Sequence, residues 1–199
     1  MKKVILLALI ILATANGYSQ EQGKFRVGLD LGFVPSGGGG GVMFSLEPKY
    51  NINDNMNVGL RIGAAAIIKD LKTDVDSPSA KVSASGSYVG TYDYYFHKPG
   101  SSFASYVGGG FGYFSLANIE VDENVGGSST TEYSPAVSGA FGGLIRAGFE
   151  WAGFRMGLEY NIIPDSDLED LNGKIVGTAK NAYIGIHLGF FVGGGKWGK

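Results

Sequence analysis

Any chemistry this chain performs would have to come from charged side chains set beside apolar neighbours. Arg26, Asp30, Glu47, Lys49, Arg61, Lys69, Asp93, Arg146, Glu150, Arg155 and Glu159 all stand in hydrophobic segments, where water cannot be counted on to screen them. Two kinds of chemistry fit such a set. One is a narrow polar path for ions. The other is a self-neutralising network, and because buried charges must be paired, it is the preferred reading. Its expected members are Arg26, Asp30, Glu47, Lys49, Arg61, Asp93, Arg146, Arg155, Glu159 and His187. His187 could also serve a hydrolase, given a serine and an orienting carboxylate. Ser45, Ser83, Ser85 and Ser138 share its phase, but no feature singles one out, and an unreactive hydrogen-bonded histidine is the preferred reading.

Other site chemistries fail on their own terms. Asp165, Asp167, Glu169 and Asp170 resemble a calcium loop, but Asp170 replaces the glycine that makes its sharp turn, so a solvated loop is expected. The runs Gly37 to Gly41 and Gly193 to Gly195 lack the spaced Gly-Lys-Ser/Thr of a phosphate cradle and precede no helix. Cysteine is absent, which removes disulfides, thiolate metal sites and thiol nucleophiles. No catalytic residue, metal or cofactor is expected.

The elements that carry these charges are strands. From Phe25 onward apolar residues recur at every second position: Phe25, Val27, Leu29, Leu31 and Phe33 on one face, with Arg26, Gly28, Asp30 and Gly32 on the other. Seven more segments repeat the pattern, centred on Phe44, Leu60, Tyr88, Phe111, Ile145, Leu158 and Ile186. In every one the charges fall opposite the apolar face. Gly108, Gly110 and Gly112 fall on the charged face of the fifth segment, where missing side chains leave room for a neighbour such as Arg146. Tight turns at Asn53 to Asn55, His97 to Ser101 and Trp151 to Gly153 alternate with long polar connections at Asp70 to Lys81, Ala117 to Ser134 and Pro164 to Thr178; Pro35 to Gly41 is a shorter connection of the second kind. An up-and-down chain would put all tight turns on one side. The expectation is an all-β, eight-stranded antiparallel transmembrane barrel. Pro48 sits inside the second strand, where a bulge or an early strand end is expected.

Composition agrees with insertion into a membrane by strands. Charged residues are 17%, against about 25% in a soluble domain, glycine reaches 34 residues, and aromatics are 13%. Phe25, Tyr50, Phe96, Phe103, Phe149, Trp151, Phe154 and Phe190 gather at the tight-turn ends of their strands, as an interfacial girdle would, and Phe33, Phe44, Tyr113 and Tyr160 at the other ends. Lys2 and Lys3, the apolar run Val4 to Ala13 and a small polar stretch to Ser19 form a secretory signal. Residues 1–19 are therefore expected to be cleaved, with the barrel at 20–192 and a short tail at 193–199. Losing Lys2 and Lys3 leaves fourteen basic against eighteen acidic residues, a net charge near −4, and gives no reason to expect a nucleic-acid partner.

The glycine-alternating Tyr106-Val107-Gly108-Gly109-Gly110-Phe111-Gly112-Tyr113, the segment Phe154-Arg155-Met156-Gly157-Leu158-Glu159-Tyr160-Asn161 and the closing Tyr183-Ile184-Gly185-Ile186-His187-Leu188-Gly189-Phe190-Phe191 carry a resemblance. The chain resembles the outer-membrane β-barrel domain family, the small porin-like barrels shaped like OmpA, OmpX and OmpW. The resemblance spans the mature chain and implies the outer membrane as location. Implied partners are outer-membrane lipid and lipopolysaccharide, and the barrel-assembly machinery during insertion, with an extracellular partner to be sought at the outer loops. A departure is the end: family members commonly finish on an aromatic residue, whereas Phe190 and Phe191 are followed here by Val192 to Lys199. The expected role is non-enzymatic, structural or surface-directed. The alternatives are a narrow channel or small-ligand conduit, a lipid-modifying enzyme using His187, and a soluble lipocalin-like carrier with its apolar faces turned inward.

Overall fold

The computed structural model describes residues 20–36, 39–71, 79–98, 100–122, 136–169 and 175–195. The expected signal segment 1–19, the loop tip Gly126 to Thr131 and Asp170 lie outside them. The described residues form ten strands: β1 (Phe25–Ser36), β2 (Gly39–Asn53), β3 (Met56–Leu71), β4 (Ser79–His97), β5 (Phe103–Asp122), β6 (Ala136–Trp151), β7 (Phe154–Ile162), β8 (Ser166–Glu169), β9 (Ile175–Ala179) and β10 (Tyr183–Gly193). Eight of them close a barrel in the order β1-β10-β7-β6-β5-β4-β3-β2, every neighbouring pair antiparallel. Strands β8 and β9 form a separate hairpin inside the stretch expected to be loop, Pro164 to Thr178.

The alternation of the sequence becomes an alternation of burial. Along β7 and along β10 up to Val192, every odd-numbered residue is buried and every even one is exposed or half-exposed. Leu29, Leu31, Val58, Leu60, Phe111, Ile145, Leu158 and Leu188 are among the large apolar side chains turned outward from strands all around the barrel. Soluble monomers seldom expose contiguous apolar patches beyond a few hundred Å². A belt of this extent is stable only in hydrocarbon. The lipocalin-like alternative, with apolar faces inward and charges outward, is the reverse of what is found.

The tight turns follow local backbone rules. At Trp151 to Phe154 both central residues, Ala152 (φ 47°) and Gly153 (φ 89°), have positive φ, the requirement of a type I′ hairpin. Pro48 departs from expectation. The β1–β2 register runs through Val27↔Pro48 unbroken, and β2 holds the same register against β3 on both sides of it, Leu46↔Ile62 and Lys49↔Gly59. No bulge forms there. The irregularity falls instead between Asn51 and Asn53, at the turn, where an extra residue costs no lumen position. Proline removes one amide without altering which side chains face inward, and Pro48 itself is exposed.

Strands β4 and β5 run for 19 and 20 residues, well into the stretches expected to be loop. A twenty-residue strand tilted by about 45° climbs roughly 45 Å, past a ~30 Å hydrocarbon core. Their long-loop ends therefore stand clear of the bilayer, whereas the nine residues of β7 suffice only to cross it.

Depth in the bilayer should be measurable from the outward face. Leu29→Arg, midway along β1, is expected to cost about 2–4 kcal/mol in urea unfolding from phosphatidylcholine vesicles, and Phe25→Arg, at the strand end, about 0–1 kcal/mol. Equal costs at the two positions would contradict this placement.

Candidate functional site

The inward face of the barrel brings the expected charges together. Glu47 on β2 is the hub. Its carboxylate accepts from Arg146 (Nη2 to Oε1, 2.6 Å; Nη1 to Oε2, 3.1 Å), from both terminal nitrogens of Arg155 (3.2 Å each) and from the Thr91 hydroxyl (2.7 Å), with Lys49 Nζ at 3.2 Å. Arg146 also grips Asp93 through Nε and Nη2, 2.8 Å each, and Lys49 donates to the same carboxylate at 2.5 Å. On the other side Arg155 binds Asp30 through Nε (3.0 Å) and Nη2, and Ser45 donates to Asp30 at 3.2 Å. One chain of contacts thus runs Asp30, Arg155, Glu47, Arg146, Asp93, Lys49 across the lumen, drawing on five strands.

Two satellite pairs flank it. Arg61 reaches Glu159 at 2.8 Å, supported by Ser87 and by Asn161, which donates to the same carboxylate. Arg26 reaches Glu150 at 2.6 Å, and Tyr95 donates to Glu150 at 2.9 Å. The Arg26 guanidinium lies 3.8 Å from the Phe191 ring centre, close enough for a cation–π contact. Among the described residues five buried cations face five buried carboxylates, so the two signs balance. All ten side chains are at most 5% exposed. Lys69 and Ser138 belong to β3 and β6, but their side chains lie outside the described part of the structure.

Glycine makes room for this network. A Cβ on Gly28 would lie 2.9 Å from Arg155 Nη2, and one on Gly108 would overlap the Asp93 carboxylate. Arg146, the neighbour expected to use the space at Gly108, Gly110 and Gly112, is not what a Cβ there would meet: Gly108 makes room for Asp93, which Arg146 grips, and Gly110 and Gly112 lie against β4 at Val89, Thr91 and the strand backbone.

His187 is buried and its Nδ1 lies 3.5 Å from Asp30 Oδ1, beyond a good hydrogen bond. Neither ring nitrogen has a hydrogen-bond partner among the described residues. Of the four serines a catalytic reading could draw on, Ser45 bonds the Asp30 carboxylate and the Ser138 side chain lies outside the described part of the structure. No group of three or more metal-ligating side chains converges among the described residues. Of the acidic loop, Asp165 is exposed and Asp167 and Glu169 belong to β8, which pairs with β9.

Above and below the charges the lumen is filled differently. Toward the long-loop end it holds an apolar cluster of Val34, Met43, Ala65, Ile67, Val89, Phe114, Leu116, Leu144, Ile163 and Tyr183. Toward the tight-turn end Tyr95, Ala104 and Tyr106 pack together. Below them the chain that leads into β1 is tied to the ends of its two neighbours, β10 and β2: Glu21 N donates to Gly194 O (2.6 Å), Gly23 N to Asn51 O (2.9 Å), and Asn51 Nδ2 to both Glu21 O and Gly194 O (3.0 Å each). The expected girdle residues Phe25, Tyr50, Phe96, Phe103, Trp151 and Phe190 are exposed at that end, and Phe149 and Phe154 are half-exposed. Several form pairs, with ring centres 4.9 Å apart for Phe25 and Tyr50, 5.5 Å for Phe103 and Phe149, and 6.0 Å for Phe154 and Phe190.

An eight-stranded up-and-down barrel with a lipid-compatible exterior and an ion-paired interior defines a bacterial outer-membrane barrel protein. The chain belongs to the family described as Outer membrane protein beta-barrel domain, which matches it over residues 4–190. Its location is the outer membrane, with membrane lipid as its surroundings. Among solved structures it is similar to OprG of Pseudomonas aeruginosa, at 14% identity and TM-score 0.53, covering 87% of this chain and 98% of that one. It is also similar to the N-terminal barrel domain of Pseudomonas aeruginosa OprF (16%, 0.45, 87% and 100%) and to Neisserial surface protein A (15%, 0.47, 86% and 97%). At these identities the likeness is one of fold. Among curated proteins no sequence matches the chain.

Breaking a buried pair by removing one partner leaves an uncompensated charge and typically costs 3–5 kcal/mol. Glu47→Ala is expected to lower unfolding stability in detergent micelles by about that amount, and Thr91→Val, which removes one neutral donor, by only about 1–3 kcal/mol. Similar losses for the two would show that Glu47 is no hub.

Proposed function

We propose that this protein is a non-enzymatic, non-conducting outer-membrane barrel whose task is structural or is carried by the surface it presents outside the cell. The single observation behind this reading is the filled lumen: among the described residues five cations and five carboxylates pair across the bore, with an apolar cluster above and Tyr95, Ala104 and Tyr106 packed below. An eight-stranded barrel has room for its own side chains and little else. A conduit would need a continuous water-filled path, and among the described residues the five buried cations and five buried carboxylates of the lumen engage one another. An enzyme would need access to His187, which is sealed in the lumen and has no serine bonded to it among the described residues.

The aromatic residues at the tight-turn end act in this reading as the inner interfacial girdle, anchoring the barrel at headgroup level. The projecting ends of β4 and β5, together with the β8–β9 hairpin, carry the outer surface, where lipopolysaccharide and an extracellular partner would be met. The assembly machinery would act on the chain only during insertion.

Planar-bilayer recording of the purified barrel tests this. No stepwise current is expected from the wild type at moderate voltage. Reproducible unit conductance that Arg146→Ala or Glu47→Ala alters would replace this reading with the channel.

A further inference from the structure

The segment that enters β1 is fastened to the tight-turn rim of the barrel from its first described residue onward. Gln20 Nε2 donates to Asn53 O at 3.4 Å, Glu21 N to Gly194 O at 2.6 Å and Gln22 N to Asp54 Oδ1 at 2.9 Å, while Asn51 Nδ2 donates to Glu21 O at 3.0 Å. Gln20 is buried, and its Oε1 has no hydrogen-bond partner among the described residues. A cut between Ser19 and Gln20, where the export signal 1–19 is expected to leave, keeps every one of these contacts. It also makes Gln20 the first residue of the exported chain. Gly17 and Ser19, just ahead of that cut, are both small, as a signal cleavage site requires.

A terminus of this kind has chemistry of its own. An α-amine carries a positive charge at neutral pH, and such a charge is costly in a buried seat. Glutamine can discharge it without help from another residue, because its unprotonated α-amine reaches its own side-chain carbonyl and closes a five-membered lactam. The Nα–Cδ bond forms, the Cδ–Nε2 bond breaks, one proton passes from Nα to the departing nitrogen, and ammonia leaves. Nothing is oxidised or reduced, and no second reactant is consumed.

We propose that Gln20 is a modification site: once the signal is removed it cyclises to a terminal pyroglutamate, and the mature barrel carries a neutral, blocked amino end at its tight-turn rim. The proposal rests on the export reading of residues 1–19 and not on the role assigned to the lumen. Ring closure belongs to the exported chain before it folds, while the terminus is still free. The lactam N–H then serves Asn53 O in place of the primary amide, and no ammonium has to enter the seat.

The amino end of the native protein reads this directly. The barrel is purified from the outer membranes of the cells that make it, its free amines are reductively dimethylated, and only then is it digested with trypsin and sequenced by tandem mass spectrometry. The expected first peptide runs from Gln20 to Arg26, is lighter by one ammonia, and carries the label on Lys24 but not on its terminal nitrogen. Labelling before digestion separates closure in the cell from closure during work-up. Gln20→Asn, whose ring would have only four members, should be cut at the same place and take the label on its terminal nitrogen. A labelled Gln20 of full mass would overturn the proposal and leave the export reading intact. A mature chain that begins at any other residue would also overturn it, and one that begins at Met1 would remove the export reading as well. An unlabelled terminus in Gln20→Asn would show a different block and overturn it too.

Discussion

Everything in this barrel is arranged around the cost of an unpaired charge in a space too narrow for bulk water. Glu47 concentrates that problem: one carboxylate, fully buried, is met by two arginines, a lysine and a hydroxyl from β6, β7, β2 and β4. A deep interior strengthens each attraction but charges heavily for every group left out. The network is therefore closed, and its closure dictates much else. Register cannot slip, because moving a strand by one residue would turn an arginine to lipid and a leucine to the lumen. Glycines must stand at Gly28 and Gly108 because arginine and aspartate side chains occupy the space their Cβ atoms would take.

The same constraint explains the layering of the lumen. Charges hold the middle, where five strands can each deliver a partner. Toward the outer end the bore is filled by aliphatic and aromatic side chains, which need no partner, and toward the other end by tyrosines. At the outer end of the β1–β10 seam the ladder stops at Phe33↔Ile186, and the lumen behind it is filled by the apolar side chains Val34, Ile67 and Tyr183.

Much of this was legible in the sequence because a strand has a period of two and the barrel has only two faces. Arg26, Asp30, Arg61 and Glu159 announced their side by their apolar neighbours. Glu150 shared that alternation, yet only the folded barrel shows it to be the partner of Arg26, from a strand distant in sequence. The apolar outer lumen was harder to see. Around Ala64 to Ile68 both phases are apolar, so alternation carries no signal there, and Ala65 and Ile67 turn inward unannounced. Pro48 misled for a physical reason: a missing amide need not shift register when the flanking pairs hold. The β8–β9 hairpin, SDLE paired with IVGTA, is too short for a period-two pattern to mark it in the sequence.

The central claim is that lumen charges are tolerated only as compensated sets, and a double-mutant cycle on Arg26 and Glu150 tests it most directly. Among the described residues this pair is joined to the Glu47 network by no hydrogen bond or ion pair, and the cycle isolates its coupling. Unfolding free energies would be measured in micelles for Arg26→Met, Glu150→Leu and the double variant. Each single change is predicted to cost about 3–5 kcal/mol, and the double variant to be more stable than either. A double variant whose loss equals the sum of the two single losses would contradict the account.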